Sequence, residues 1–112
     1  MARPSGPFPA VELDFWVVDG TPGVFLLSKD GKNPDYLGAS ERDMKPEILR
    51  ATKREQEAWF LYYYAKSPAS LYEVTCEWYH EYSPRNLPTH PEPPAILVAN
   101  LSCPVLGCQY HR

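Results

Sequence analysis

Residues 71–82 read LYEVTCEWYHEY, and the conformation of this stretch decides how the chain folds. Apolar and aromatic side chains alternate with polar ones along the whole stretch, which is typical of a strand with one face on the core and one in water. Three carboxylates, those of Glu73, Glu77 and Glu81, fall together on the polar side. We therefore predict a long strand that carries an acidic row on its solvent face.

A helix over the same residues is the alternative. Ser67-Pro68 has the composition of a helix start, because a serine oxygen can accept a hydrogen bond from the first turn. Leu71, Val74 and Trp78 would then align on one helical face. The strand is preferred because the alternation persists to Tyr82.

The segment before this stretch predicts the main helix, over residues 46–65. Pro46 suits the first helical position, where its missing N–H has no intrahelical partner, and Ser67-Pro68 would end the helix. Glu55 falls within the apolar face of this helix. We expect its carboxylate to reach water at the edge of the face, and the alternative is a partly buried carboxylate with a raised pKa.

The N-terminal part of the chain predicts strands. Residues 11–18 read VELDFWVV and alternate with a period of two, which indicates a half-buried strand. A turn rich in glycine and proline follows, and residues 24–28 predict a second strand that closes a hairpin with the first. A short third strand is predicted at Tyr36-Leu37, with Gly38 ending it.

Proline dominates the C-terminal part. Residues 83–94 hold five prolines and predict a stiff, extended connector, and residues 95–99 predict a short apolar strand. The predicted order is β-β-(β)-α-β-β, an α+β fold with a small, mostly antiparallel sheet and one long helix packed across it. Residues 1–10 are predicted to be a flexible arm rich in proline, and residues 11–112 a single domain.

Composition narrows the class of protein. The chain has 112 residues, a formal net charge of −3 and 44% hydrophobic residues, which suits one globular domain. We expect no nucleic-acid partner, because phosphate binding needs a basic face. No apolar run is long enough for a signal peptide or a membrane span, so neither a membrane partner nor secretion is expected. Three cysteines do not close a disulfide framework, and we expect a reducing, cytoplasmic location.

Every cysteine and every histidine lies in the last third of the chain, which suggests a metal site. Zinc takes four thiolate or imidazole ligands, and Cys76, His80, Cys103 and Cys108 could supply them, with His111 or His90 as a substitute. The competing interpretation is that these are core residues beside a tail that carries thiols. A small enzyme with a catalytic thiol is a further alternative, although no nucleophile motif or other cofactor motif is present.

Three successive tyrosines, at residues 62–64, predict a protein-binding surface. A helix cannot bury three consecutive positions, so we expect Phe60, Tyr63 and Tyr64 to be exposed anchors. The acidic row formed by Glu73 and its two companions would complement a basic partner surface.

The function expected from these features is stoichiometric association with another protein and no catalysis. Small acidic chains without catalytic motifs are typical of inhibitors and immunity proteins, including those that phages and mobile elements use against defence systems; this is a likeness of class alone. A homodimer formed through the tyrosines, or a structural or regulatory module stabilised by zinc, would be the alternatives.

Overall fold

The structure, a computed structural model, describes residues 2–91 and 102–108. Within these ranges the strands are β1 (Ser5–Pro9), β2 (Gly23–Ser28), β3 (Tyr36–Ser40) and β4 (Trp59–Tyr64). The helices are α1 (Leu13–Trp16), which follows a 3-10 turn at Ala10–Glu12, α2 (Met44–Glu55) and α3 (Pro68–Tyr82). The predicted α+β class, an antiparallel sheet with one long helix across it, is confirmed.

The four strands form one antiparallel sheet in the order β1-β4-β2-β3. Val24 in β2 lies between Tyr63 of β4 and Ala39 of β3. Side chains that follow one another along a strand point to opposite faces, so β2 and β4 contribute to two separate cores.

Helices α1 and α2 cover one face of the sheet, and α3 covers the other. The first core comprises Leu13, Val17, Phe25, Leu27, Met44, Ile48, Ala51, Phe60 and Tyr62. The second core comprises Val24, Leu26, Leu37, Leu61, Leu71, Val74 and Trp78. The molecule therefore has three layers, and surfaces on α1 or α2 lie on the opposite side from surfaces on α3.

The preferred prediction of a strand over residues 71–82 is wrong, and the helical alternative is correct. The Ser67 side chain accepts a hydrogen bond from the Ser70 backbone N–H at 3.0 Å, and Pro68 occupies the first turn of α3. The helix is buried on two sides: Val74 and Trp78 contact the sheet, while Tyr72 and Cys76 pack against residues 102–108. Burial on two sides produces the alternation that resembles a strand.

The predicted helix over residues 46–65 is divided between a helix and a strand. It begins earlier, at Met44, because the Asp43 side chain accepts a hydrogen bond from the Lys45 backbone N–H at 3.3 Å. It ends at Glu55, where Gln56 takes the left-handed conformation with φ of 57°. Residues 59–64, WFLYYY, form β4 instead, because aromatic side chains favour a sheet that is covered on both faces.

The predicted strand over residues 11–18 is also wrong. Leu13 and Val17 are buried, but Val11 is 94% exposed and Phe15 is 77% exposed. Buried positions four residues apart belong to a helical turn, which is the 3-10 turn and α1.

The strand predicted over residues 24–28 is confirmed, although its hairpin partner is β3 and not the segment before it. The short third strand at Tyr36-Leu37 is confirmed as β3, but Gly38 lies within it and does not end it. Gly38 is opposite Phe25, whose ring lies where a side chain at position 38 would be.

The two outer strands have distinct chemistry. β1 lies within the predicted arm and contains Pro7 and Pro9, which have no N–H. At the outer side of β3, the Asn86 side-chain amide accepts from the Leu37 N–H at 2.9 Å and donates to the Leu37 carbonyl at 2.8 Å. Residues 83–91 of the predicted connector contain no helix or strand, and the strand predicted over residues 95–99 lies outside the described residues. No helix in the described part of the chain is long and apolar enough to cross a membrane.

Candidate functional site

Four side chains that could ligate a metal meet beside the C-terminal end of α3. His80 belongs to the last turn of α3, His90 follows in the connector, and Cys103 and Cys108 belong to residues 102–108. One ligand atom of each residue lies within 4.8 Å of the ligand atoms of the other three. Three of the four predicted ligands are thus brought together, and His90, one of the two substitutes, completes the group.

The histidine side of this group is held by aromatic residues and by one carbonyl. His90 Nδ1 lies 2.7 Å from the Pro91 carbonyl oxygen, which also accepts a hydrogen bond from the Tyr72 hydroxyl at 3.2 Å. The Tyr79 ring lies against both imidazoles, with centroid distances of 5.4 Å to His80 and 5.2 Å to His90. Burial lowers the pKa of His80, and the nearby His90 lowers it further, which favours the neutral imidazole.

A turn brings the two cysteines together. The Cys108 backbone N–H donates to the Val105 carbonyl at 3.3 Å, and Gly107 adopts a φ of 86° that a glycine reaches without strain. Cys103 is fully buried against Tyr72 and Cys76, and this burial raises the pKa of its thiol.

Cys76, the remaining predicted ligand, is not among the four. It lies one helical turn before His80, is fully buried and packs against Tyr72 and Cys103. Burial raises the pKa of its thiol to about 12, as burial also raises that of Cys103, so position and not acidity separates the two cysteines: the Cys76 sulfur is not among the four ligand atoms that lie together. Cys76 is therefore a core residue. His111, the other predicted substitute, lies outside the described residues.

The second feature is an exposed apolar surface on the opposite side of the sheet. Val11, Phe15 and Val18 lie on or beside α1 and are 94%, 77% and 62% exposed, and Leu49 on α2 is 45% exposed. We call these four residues the apolar patch. Val11 and Leu49 line a groove of about 420 Å3 between the two helices. The sequence pattern missed this patch, because it placed Val11 and Phe15 on the buried face of a strand.

The groove is rimmed mainly by carboxylates. Asp14, Asp19 and Asp43 line it together with a single cation, Lys45. The Lys45 ammonium pairs with Asp14 at 2.9 Å and with Asp19 at 3.2 Å, and its side chain is only 15% exposed. The two aspartate side chains remain almost completely exposed, so the groove presents negative charge to the solvent.

The predicted aromatic anchors lie elsewhere in the sheet. Phe60 is 0% exposed, so its prediction as an exposed anchor is wrong. Because β4 is a strand, its tyrosines alternate between the two faces: Tyr64 packs at the first core, and Tyr63 packs on Trp78 in the second. Both tyrosines are half-buried. The helical argument that forced them outward therefore does not apply.

The predicted acidic row survives the change from strand to helix. Glu73, Glu77 and Glu81 are four residues apart, so they occupy one side of α3, where Glu73 and Glu81 are exposed and Glu77 is half-buried. Since α3 covers the other face of the sheet, this row and the apolar patch lie on opposite sides of the molecule. They cannot serve the same small binding surface.

A third cluster joins the connector to the sheet through Arg85. Its guanidinium pairs with Asp35 at 3.2 Å, Glu55 at 2.9 Å and Glu57 at 3.2 Å. The Glu57 side chain is completely buried, and burial raises its pKa, with a further contribution from the Asp35 carboxylate. The Glu55 side chain is 22% exposed and pairs with Arg54 and Arg85, which lower its pKa, so the alternative of a raised pKa at Glu55 is wrong. The buried glutamate is Glu57, two residues further along.

No family model, no curated protein and no solved structure matches this chain.

Proposed function

We propose that this chain acts by stoichiometric association with another protein, and that it binds a basic, apolar segment of that partner on the apolar patch. The observation that carries this proposal is the exposure of four large apolar side chains on or beside α1 and α2, two of which, Val11 and Leu49, line a groove with an acidic rim. Several exposed apolar residues on neighbouring elements, with a groove and charged groups beside them, are typical of protein interaction sites.

The segment that carries Phe15 is firmly held. The neighbouring Trp16 ring stacks on Phe8 with a centroid distance of 3.9 Å, and its indole N–H donates to Glu12 at 2.9 Å. The Trp16 carbonyl accepts a hydrogen bond from the Tyr62 hydroxyl at 3.1 Å. An anchor on a segment of this kind loses little conformational entropy when a partner binds, which favours affinity.

Charge identifies the class of partner. Asp14 and Asp19 share the ammonium of Lys45, so the rim retains an excess of negative charge. A partner segment with lysine or arginine beside bulky apolar residues would complement both the groove and its rim. A second copy of this chain fits less well, because a two-fold interface would bring the same acidic rims together.

An inhibitor or immunity-type role in the cytoplasm is the biological setting we propose for this association. An inhibitor of this kind needs one anchoring surface and no catalytic group, and the patch offers such a surface. Basic partner surfaces are common on proteins that handle nucleic acids, which an acidic chain can block.

The test uses the protein itself and a random peptide library. Sedimentation velocity first establishes whether the chain is monomeric. A phage-displayed library is then selected on the wild-type protein, and the enriched peptides are measured against Phe15→Ser and against Leu106→Ser. Leu106 is a matched control because it is 83% exposed and lies outside the patch.

We expect the enriched peptides to combine apolar residues with lysine or arginine. Their affinity should fall at least about tenfold for Phe15→Ser, the loss of one buried aromatic anchor, and should be unchanged for Leu106→Ser. Acidic peptides, or peptides that bind Phe15→Ser as well as the wild type, would contradict the proposal. A dimer that Phe15→Ser dissociates would identify a second copy as the occupant instead.

A further inference from the structure

We propose that His80, His90, Cys103 and Cys108 bind one zinc ion, which joins residues 102–108 to the C-terminal end of α3. The site lies on the opposite side of the sheet from the apolar patch and does not depend on the proposed protein association. Its four ligands come from three segments of the chain, the helix, the connector and the C-terminal turn.

The donor set matches zinc. Two thiolates and two imidazoles form one of the usual tetrahedral combinations for this ion, whereas calcium and magnesium require oxygen ligands. With bonds of about 2.0–2.3 Å, tetrahedral geometry places ligand atoms roughly 3.3–3.8 Å apart. The four atoms already lie within 4.8 Å of one another, so side-chain movements of about 1 Å would complete the site.

The contact between His90 and Pro91 fixes the tautomer of the His90 ring. A carbonyl oxygen can only accept, so Nδ1 carries the proton in its 2.7 Å contact with Pro91, and Nε2 presents its lone pair. A histidine ligand normally donates its other ring N–H to a carbonyl or a carboxylate, which orients the ring for the metal. The Tyr72 hydroxyl donates to the same carbonyl and holds it in place.

The surroundings point to a structural ion and not to a catalytic one. Four protein ligands leave no position for water or substrate. Cys103 is completely buried, and Tyr72 and Val105 pack beside it. A zinc ion here would cross-link residues 102–108, which form no helix or strand, to a helix that is itself part of the second core.

The experiment measures metal directly on the full chain. The protein is purified without a histidine tag under reducing conditions, and its zinc content is determined by inductively coupled plasma mass spectrometry. The metal is then removed, and the reduced chain is titrated with Co2+, whose visible absorption reports coordination geometry and thiolate ligands. The variants are Cys108→Ser and His80→Gln, which change the more accessible ligands, and Cys76→Ser is the matched control.

We expect about one zinc per chain, and an intense Co2+ spectrum with thiolate charge-transfer bands that added zinc abolishes. Cys108→Ser and His80→Gln should each weaken Co2+ binding by tenfold or more, on the order of the loss of one ligand, while Cys76→Ser should retain the wild-type spectrum. Circular dichroism verifies that each variant is folded.

Three results would overturn the site. The first is less than about a tenth of an equivalent of zinc together with no Co2+ absorption from the reduced protein. The second is a Cys76→Ser variant that is folded and loses as much metal as Cys108→Ser. The third is a disulfide between Cys103 and Cys108 that persists in reducing buffer, seen as a mass lower by two hydrogens.

Discussion

Gly38 lies directly opposite Phe25 in the ladder between β2 and β3, and the Phe25 ring occupies the space that a side chain at position 38 would fill. The ring belongs to the first core, between the sheet and the helices α1 and α2. A residue that interrupts the sequence pattern of a strand is therefore what allows the largest side chain of β2 to pack.

Gly38→Ala should destabilise the protein by about 1–3 kcal/mol, because the added methyl group overlaps the Phe25 ring. Urea denaturation measures the change. In a Phe25→Leu background, Gly38→Ala should lower the free energy of unfolding by less than it does in the wild type, because the smaller side chain leaves the space free. Ala39→Ser, at the exposed neighbouring position, serves as the control. Equal costs of Gly38→Ala with either residue at position 25 would show that the ring is not the cause.

Ser67→Ala should lower the free energy of unfolding by about 1 kcal/mol, because the Ser67 oxygen accepts the Ser70 N–H at the start of α3. Ser70→Ala, inside the first turn, removes a serine that accepts no such bond and should be neutral or slightly stabilising. Thermal and urea unfolding of the two variants make the comparison. If residues 68–82 formed a strand, the two substitutions would have similar effects.

Glu57 should make stability fall as pH rises. Burial raises its pKa above the ordinary value of 4.5, so the folded state binds a proton more tightly than the unfolded chain. This contribution is fully present below the unfolded pKa and is lost as pH rises through the folded pKa. Urea denaturation between about pH 4 and pH 8 should show wild-type stability falling relative to Glu57→Gln as pH rises. A difference between the two proteins that is constant with pH would mean that the Glu57 pKa is not raised.

Arg85→Met should lower the free energy of unfolding by about 1–2 kcal/mol, because it leaves Glu57 buried without its main cationic partner. The cost is below that of a fully buried pair, since the Arg85 side chain is 41% exposed. In the Glu57→Gln background the same substitution should cost clearly less. Denaturation of the four proteins completes the double-mutant cycle, and strictly additive costs would argue against an energetic link between the two side chains.

The amino-acid sequence predicts the class of fold better than it predicts the individual elements. The α+β class and the strands at β2 and β3 follow from local composition, since runs rich in branched and aromatic residues between turns favour strands in most contexts. Residues 71–82 could not be assigned from their pattern, because burial on two sides of a helix places apolar residues at alternate positions. The conformation depends on what packs on each side, which is tertiary information.

The sequence does not reveal the boundary between α2 and β4 either. Gln56 ends the helix in a left-handed conformation without a glycine or proline to mark the change, so the predicted helix continued into residues 59–64. The tyrosines there were then expected to be exposed. The helical turn at residues 13–16 is missed for a different reason: residues 11–18 alternate as a strand does, and this pattern places the exposed Phe15 on a buried face.

The candidate metal group was predictable in part. The concentration of cysteine and histidine in the last third of the chain identified His80, Cys103 and Cys108, because these residue types are the ligands that zinc prefers. The sequence alone does not show that His90, and not Cys76, belongs to the group. This membership depends on α3 being a helix that turns Cys76 into the core, and on the connector returning His90 to His80, with a centroid distance of 5.1 Å.

An open sheet with two outer strands could extend by pairing with a strand of another molecule, and this is a common route to aggregation. Here both outer strands resist it. Pro7 and Pro9 remove backbone donors from β1, and the Asn86 amide occupies the Leu37 N–H and carbonyl on the outer side of β3 as a neighbouring strand would. Replacing that amide in Asn86→Leu would leave the Leu37 N–H and carbonyl open to a strand of another molecule, so a side chain in the connector helps to close this edge of the sheet.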